Sequence, residues 1–173
     1  MMPREIRSLL RPSSDGMNED RILSLPDKRI LVVADGFYEW KSEGGRKRPF
    51  VARPKQWEPM AFAGLWETWT GPNGEEVETA ALITTDANKE MAAVHHRAPV
   101  VVPPEQFDFW LDCRNVDERS AAELFVPAPE GTWAVREVSP AVNKVANDAP
   151  GLLEATIAFN VLWRYSAGSR VSR

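Results

Sequence analysis

The sequence predicts an α+β fold, in which one domain is built on a mostly antiparallel, barrel-like β-sheet with short peripheral helices. Strand-like segments crowd the middle of the chain, short helical segments follow them, and the strand–helix–strand rhythm of parallel sheets is not seen. The chain has 173 residues, of which 43% are hydrophobic. This length and composition suit a single domain with one continuous core.

The predicted strands are runs of apolar and β-branched residues bounded by turn residues. The first covers residues 29–34 and ends at Asp35-Gly36. The glycine-centred segment 41–48 joins two of the later strands, which predicts a hairpin. The later strands are predicted at residues 37–40, 49–53, 60–69, 77–85 and 133–138.

Three short helices are predicted in the second half of the chain. Ser120 and Glu123 have the spacing of a capping box, which predicts that Ser120 caps the third helix. The helices are predicted at residues 88–94, 104–111 and 120–124. Around the domain, residues 1–28 are predicted to be weakly structured and residues 155–173 to form a peripheral segment and tail, which leaves 29–154 as the domain.

Composition excludes several classes of function. The formal net charge of −4 excludes a protein that holds nucleic acid by bulk positive charge, so any site for a polyanion has to be a local patch. The single cysteine, Cys113, forms no internal disulfide, and the two adjacent histidines disfavour a transition-metal site, so no cofactor is expected. No apolar run approaches the roughly 18 residues that cross a bilayer. We therefore expect a cytoplasmic monomer that does not contact membranes.

Two segments carry candidate catalytic chemistry. Glu39 lies among aromatic residues after a tight turn, where loss of hydration suits a carboxyl group that transfers protons. The alternative is that Glu39 faces solvent on an edge strand. His95 lies at the entrance to a buried strand and is a candidate acid or base, and Arg97 shares its face in extended geometry, where the guanidinium suits a phosphate. The alternative is a pair of surface histidines in a loop, and His96 is expected to face the other way.

Two further segments are candidates for ligand contact. Thr84 belongs to the segment 83–88, a strand end with four hydrogen-bonding side chains that leads into a helix. Such a segment is a candidate for contact with a ligand, and the alternative is that it caps the helix that follows. Basic residues 46–48 lie near aromatic side chains that stack on bases, although a solvated hairpin tip explains them equally well. Cys113 is interpreted as a packed or incidental thiol rather than a nucleophile.

Together, four segments resemble the SRAP family, the SOS-response-associated peptidases, which bind abasic sites in single-stranded DNA. The third of them stands in the place of the family's H-x-R-M-P, with Ala98 where the family has Met. The resemblance extends from about Arg29 to Glu154. The segments are ADGFYEW at 34–40, ITTDAN at 83–88, HHRAPVV at 95–101 and VNKVAND at 142–148.

The resemblance implies a covalent mechanism. An N-terminal cysteine attacks the aldehyde of a ring-opened abasic sugar, its α-amine forming a Schiff base and its thiol closing a thiazolidine. Glu39 and His95 would then move protons in crosslinking and in linked lyase or self-processing peptidase activity. The residues that the resemblance places against DNA are Arg97, Trp40, Thr84 and Arg4.

The sequence departs from the family's pattern at its beginning. The family begins Met-Cys-Gly-Arg, whereas this chain begins Met1-Met2-Pro3-Arg4. Either the true start lies upstream, which we expect, or a DNA groove is kept without the nucleophile, or the amine of Met1 forms a Schiff base without a thiol. Two other functions stay open: a non-catalytic binder of single-stranded DNA, and a small hydrolase with a Glu39–His95 dyad.

Overall fold

The computed structural model describes residues 28–56 and 59–154, which form a mixed α+β domain with antiparallel sheets and a few short helices. The predicted α+β class is therefore confirmed. Within the described ranges the strands hydrogen-bond into three sheets whose pairing does not close into a barrel, so the barrel-like arrangement stays a prediction. The predicted terminal segments lie outside the described residues, apart from Lys28.

The described chain contains nine strands and three short α-helices. The strands are β1 Arg29–Ala34, β2 Phe37–Glu43, β3 Arg46–Pro54, β4 Met60–Thr70, β5 Glu76–Leu82, β6 Thr84–Asp86, β7 Arg97–Pro99, β8 Val101–Val102 and β9 Trp133–Glu137. The helices are α1 Lys89–Ala92, α2 Phe107–Leu111 and α3 Glu118–Ala121. Single 3-10 turns cover Pro104–Gln106, Ala122–Leu124, Pro140–Asn143 and Pro150–Leu153.

The first sheet is built around the long strand β4, and every pairing in it is antiparallel. Strand β1 lies along one edge of β4, while β5 and β8 lie along the other, because Gly64 is opposite both Ile30 and Leu82. The second sheet has the order β2-β3-β9, and the third pairs β6 with β7. Each of the two larger sheets thus combines one hairpin of consecutive strands, β4-β5 or β2-β3, with strands from elsewhere in the chain.

The predicted hairpin forms, but its strands extend further than the sequence pattern indicates. Strands β2 and β3 stay paired up to Glu43 and Arg46, so the turn is only Gly44-Gly45. Both glycines have positive φ, 56° and 76°. This left-handed pair suits the right-handed twist of the flanking strands, as in a type I′ turn. The predicted eight-residue connector was too long because its charged residues belong to the strands.

The predicted strand 77–85 is divided at Ile83, where the chain passes from one sheet to another. The Ile83 backbone N–H donates to Ala63 O on β4, whereas its carbonyl accepts from the backbone N of Val100. The residues before Ile83 therefore pair with β4, and those after it pair with β7. An apolar run in the sequence does not show such a change of partner.

The third predicted helix starts earlier than expected, and its cap is a different residue. Asp117 is the N-cap, and its Oδ1 accepts from the backbone N of Ser120 at 2.7 Å. The predicted capping role of Ser120 was therefore wrong. The reason is that an Asp three residues upstream offers the first turn a charged acceptor, and the helix begins at the better cap.

An aromatic cluster joins the first and second sheets. Phe37 on β2, Phe62 on β4 and Trp133 on β9 have ring centroids 5.2–6.4 Å apart. Met91 of α1 and Ala98 of β7 are buried in the same cluster. The third sheet and the first helix are therefore attached to the core that the two larger sheets share.

A second buried cluster attaches the later helices to β1. Trp110 of α2 is fully buried, and its indole N–H donates to Ile30 O at 2.8 Å. The Nη2 of Arg29 donates to the carbonyls of Asp112 and Val116, both at 2.8 Å, and its guanidinium lies over the Trp110 ring. These hydrogen bonds from the buried Arg29 hold the segment between α2 and α3 against strand β1 of the first sheet.

We predict that Trp133→Ala lowers the free energy of unfolding by about 3–5 kcal/mol, because a large ring leaves a cavity where two sheets meet. Trp133 is 1% exposed, whereas Trp69 on β4 is 50% exposed. Trp69→Ala is therefore the matched control and is expected to change stability by less than about 1 kcal/mol. Urea denaturation of both variants measures the difference, and equal losses would show that the cluster does not join the sheets.

Candidate functional site

Strand β2 presents Glu39 after a sharp entry at Gly36. A Cβ on Gly36 would lie 2.6 Å from Ala52 O, so this turn admits only glycine. Side chains alternate along a strand, so Glu39 shares the face of Phe37 and the aromatic cluster. Glu39 is half-buried, and its Oε1 accepts from the backbone N of Trp40 at 2.9 Å. The carboxyl group is thus held against its own strand.

Trp40 lies on the other face of β2, where its indole N–H donates to Asn143 Oδ1 at 2.8 Å. The Tyr38 ring, on the same face, has its centroid 6.5 Å from the Trp40 ring. Burial raises the pKa of Tyr38, and the negative charge of Asp35 adds to the rise. This face therefore presents two aromatic side chains, one of them fixed by an amide.

Arg97 and Thr84 are joined by two hydrogen bonds across the third sheet. The Nε of Arg97 donates to Thr84 Oγ1 at 2.9 Å, and its Nη2 donates to Thr84 O at 2.5 Å. Asp86 is opposite Arg97 in the register, and Thr84 lies two residues before it, so Thr84 and Arg97 share one face. The guanidinium is therefore held flat along β6.

His95 is held by the backbone of Arg97. Its Nδ1 lies 3.2 Å from both the backbone N and the carbonyl O of Arg97, so Nδ1 finds a partner in either neutral tautomer. The predicted sharing of one site by the His95 and Arg97 side chains stays a prediction, because this contact is with the Arg97 backbone. His96 was expected to face the other way, but its ring centroid lies 4.4 Å from that of His95. The alternation does not apply because both histidines precede β7, His96 at a bend.

Helix α1 holds the His95 segment against the core. The backbone N of His95 donates to Met91 O at 2.9 Å, and Met91 is fully buried. Asn88 is the N-cap of α1, since its Oδ1 accepts from the backbone N of Met91 at 3.2 Å. Asn88 is itself 6% exposed and also donates to Pro129 O. The sequence left open whether this segment contacts a ligand or caps the following helix. For Asn88, the last residue of the ITTDAN motif, the structure shows the capping role.

Glu90 fastens α1 to the start of β9. Its Oε1 accepts from Lys55 Nζ and from the backbone N of Gly131, both at 2.8 Å, and its Oε2 accepts from the backbone N of Trp133 at 3.0 Å. The hydrogen bond from Lys55 is the main reason that the pKa of Glu90 is lowered. Sequence reasoning missed Glu90, because three of its partners lie about 35 to 43 residues away.

The basic segment 46–48 at the hairpin tip is partly neutralised. Arg48 Nη1 lies 2.7 Å from Glu43 Oε2, and Arg48 Nη2 lies 2.5 Å from Glu137 Oε2. The hydrogen bond to Glu137 is the main reason that the pKa of Arg48 is raised. Arg46 and Lys47 remain exposed at the tip. The cluster therefore offers fewer cations to a polyanion than the sequence indicates.

The described contacts arrange the predicted site residues in two groups. Thr84, His95 and Arg97 form one group, and Trp40 with Asn143 forms the other. Glu39 lies on the face of β2 opposite Trp40, and no hydrogen bond or ion pair links it to His95 within the described ranges. Phe37 and Ala98, which neighbour these groups in sequence, pack in one cluster. Arg4 lies outside the described residues.

Asn143 is a second residue of the candidate site, besides Glu90, that the sequence pattern did not single out. It belongs to the segment 142–148 on which the family resemblance was partly based, so that motif already marked the region. Over the ranges that the structure describes, no group of three His, Cys, Asp or Glu residues is placed to hold a metal ion. In the same ranges, none of the helices is both long enough and apolar enough to span a bilayer.

Comparison with known proteins gives a consistent result. The model of one family, described as SOS response associated peptidase (SRAP), matches residues 22–145. The chain is 36% identical over 149 residues to the abasic site processing protein HMCES of Gallus gallus, covering 75% of this chain and 44% of that protein. It is 36% identical over 132 residues to YoqW of Bacillus subtilis (strain 168), covering 76% of this chain and 59% of that protein.

A bacterial relative and a solved structure agree with these matches. YedK of Escherichia coli (strain K12), also named an abasic site processing protein, is 31% identical over 130 residues, covering 73% of this chain and 57% of that protein. A crystal structure of a protein from Bacteroides thetaiotaomicron has a TM-score of 0.70 at 26% identity, covering 80% of this chain and 64% of the other. The chain thus spans about half the length of the curated relatives it matches.

We predict that Glu90→Gln destabilises the protein at pH 7 and that the difference from wild type shrinks as the pH falls below about 4.5. The folded-state pKa of Glu90 lies below the usual 4.5, so its stabilising effect is present above that value and is lost as the pH falls through the lowered pKa. Urea denaturation of both proteins between pH 7 and 3.5 measures this. The exposed Glu123→Gln is the control, and a difference independent of pH would show that shape rather than charge matters.

Proposed function

Because this chain belongs to the SRAP family of SOS response associated peptidases, we propose that it is a DNA-repair protein that senses and processes abasic sites in single-stranded DNA. The animal and bacterial relatives compared above are named abasic site processing proteins. The observation that carries the proposal to this chain is the hydrogen-bonded group of Thr84, His95 and Arg97, in which Thr84 holds the Arg97 guanidinium and the Arg97 backbone holds the His95 imidazole.

Arg97 is proposed to bind a phosphate of the DNA backbone. A guanidinium has five N–H donors, and Thr84 engages two of them, one on Nε and one on Nη2. Among the described residues, no other acceptor engages the two N–H groups of Nη1 or the second N–H of Nη2, which leaves these donors for an anion. Since the guanidinium is already held in one plane, little side-chain entropy is lost when a phosphate binds. In this proposal Thr84 acts mainly by positioning Arg97.

Glu39 and His95 are proposed to move protons in the covalent step. An amine nitrogen attacks the aldehyde carbon of the ring-opened sugar, the carbonyl oxygen takes up protons, and one water leaves as the imine forms. An α-amine titrates at about 7.7–8.0 and is nucleophilic at neutral pH. His95 suits the proton transfers because its Nδ1 is engaged by the backbone and, among the described residues, no hydrogen bond engages its Nε2. Closing a thiazolidine additionally requires a thiol beside that amine.

The DNA-contacting set includes Trp40, whose indole offers a surface on which a base stacks. Exposed cations lie on the same hairpin at Arg46 and Lys47. Single-stranded DNA suits such a surface because its unpaired bases are free to stack. We place the activity in the domain formed by residues 29–154, acting as a monomer in the cytoplasm and at the nucleoid when bound to DNA.

We predict that the full chain forms a covalent adduct with a single-stranded oligonucleotide treated with uracil-DNA glycosylase, and none with the untreated oligonucleotide. Glu39→Gln and His95→Ala are expected to slow adduct formation by about 10²–10⁴-fold, the usual contribution of general acid–base catalysis, while leaving the urea midpoint unchanged. Denaturing gels with and without borohydride separate an imine, which borohydride traps, from a thiazolidine.

The outcomes separate the alternatives. DNA binding without an adduct would favour a non-catalytic binder of single strands. Turnover of a peptide or ester that depends on His95, together with DNA affinity that is indifferent to Arg97, would favour a small hydrolase. Unfolding of either Glu39→Gln or His95→Ala would assign that residue a structural role.

We predict that Arg97→Ala weakens single-stranded DNA binding and reduces the slope of log K against log salt by about 0.7, the contribution of one phosphate contact on a single strand. Thr84→Val removes the Oγ1 acceptor but keeps the carbonyl, so it is expected to weaken binding less and to leave the slope unchanged. Arg114→Ala, an exposed arginine after α2, is the control. Salt titrations followed by fluorescence anisotropy measure these slopes. An unchanged slope for Arg97→Ala would show that Arg97 does not contact a phosphate.

A further inference from the structure

We infer that Asn143 is a positioning residue, which holds the indole of Trp40 as a stacking platform for a base of the bound strand. The inference rests on the proposed function, because it concerns the same single-stranded DNA. It goes beyond that function by assigning a role to an amide that neither transfers protons nor carries charge. The observation behind it is the hydrogen bond from Trp40 Nε1 to Asn143 Oδ1, 2.8 Å long and spanning 103 residues.

The chemistry of the two groups leaves only one orientation. An indole N–H is a donor and never an acceptor, so the amide has to present its oxygen to Trp40 and turn its Nδ2 away. An indole has a single N–H, and this bond uses it. Rotation of the ring about its side-chain torsions would break the bond, so Asn143 selects one orientation of the platform.

The turn that carries Asn143 is held firmly in place. Ser139 Oγ accepts from the backbone N of Ala141 at 3.2 Å, which caps the 3-10 turn. Asn147 Nδ2 donates to Ala141 O at 2.8 Å and folds the following loop back onto the turn. Preceding the turn, the backbone N of Val138 donates to Pro49 O at 3.0 Å, and Val138 is 1% exposed. The amide is therefore fixed to β3 rather than carried on a loose loop.

The same strand also sets the position of Trp40. Pro49 is directly opposite Trp40 in the pairing of β2 with β3. The carbonyl of Pro49 also accepts from Val138, just before the turn that carries Asn143, so Pro49 helps to position both Trp40 and its partner. Lys47 shares the face of Trp40, because it lies two residues from Pro49 along β3. Trp40 is half-buried and Lys47 is exposed. An aromatic ring beside a cation is the combination on which single-stranded nucleic acids stack.

A double-mutant cycle tests the inference on the full chain. The probe is a single-stranded oligonucleotide that carries one tetrahydrofuran abasic analogue, which has no aldehyde and so reports binding alone. Asn143→Ala is expected to weaken binding by about 3- to 10-fold, the range of one hydrogen bond. Trp40→Phe keeps a ring but lacks the N–H. In that background, Asn143→Ala is expected to cause no further loss, because its partner is already gone.

The control and the contrary outcomes are specific. Asn73→Ala, in the exposed turn between β4 and β5, is expected to bind as wild type. If Asn143→Ala costs the same affinity in the Trp40→Phe background, Asn143 acts through its own contact with DNA or through the fold, and the inference is wrong. If Asn143→Ala binds as tightly as wild type, the inference is also wrong.

A measurement without DNA separates this inference from the proposed function. In a ¹H–¹⁵N spectrum the indole signal that disappears in Trp40→Phe belongs to Trp40. Asn143→Ala should move that signal and speed its hydrogen exchange, whereas Asn143→Asp, which keeps an acceptor oxygen, should leave it slow to exchange. An unmoved signal in Asn143→Ala overturns the positioning role. If the Trp40 signal changes in Asn143→Ala but the protein does not bind the oligonucleotide, the proposed function is wrong. In that case the role of Trp40 as a stacking platform is wrong as well.

Discussion

The packing of Phe37, Phe62 and Trp133 is the interaction on which the rest of the structure depends. Each ring comes from a different strand, and together they join the sheet around β4 to the sheet around β3. Ala98 packs in the same cluster immediately after Arg97, and Glu39 follows Phe37 by two residues on the same face. A close-packed core transmits position rigidly, so the elements that bear the candidate groups inherit their placement from these rings.

Local hydrogen bonds then orient each candidate group on its element. Thr84 and the Arg97 backbone orient a guanidinium and an imidazole, Glu90 fastens the helix before them, and Asn143 orients an indole. Most of these partners are neutral or backbone groups. This matters for a binding site, because a cation that is paired with a neutral acceptor keeps its charge available for a ligand, whereas a cation paired with a carboxylate does not.

The contrast between Arg97 and Arg48 illustrates this point. Arg48 is held between Glu43 and Glu137, and its charge is balanced locally. Arg97 is held by a hydroxyl and a carbonyl, which leave its charge intact. In a chain with a formal net charge of −4, a polyanion is attracted only where such uncompensated cations lie. The position of a cation therefore matters more here than the number of cations.

The sequence by itself determined the α+β class, the positions of β1 to β4 apart from the ends of the hairpin, and the family, because apolar runs, turn residues and motifs are local signals. It also marked β2 and the His95 segment as candidate places for chemistry, which stays a prediction. Only the tertiary structure decided that the chain changes sheets at Ile83, that Asp117 caps α3, and that Trp40 meets Asn143. These outcomes depend on which distant or competing partner offers the better hydrogen bond, and no local periodicity in a sequence records that choice.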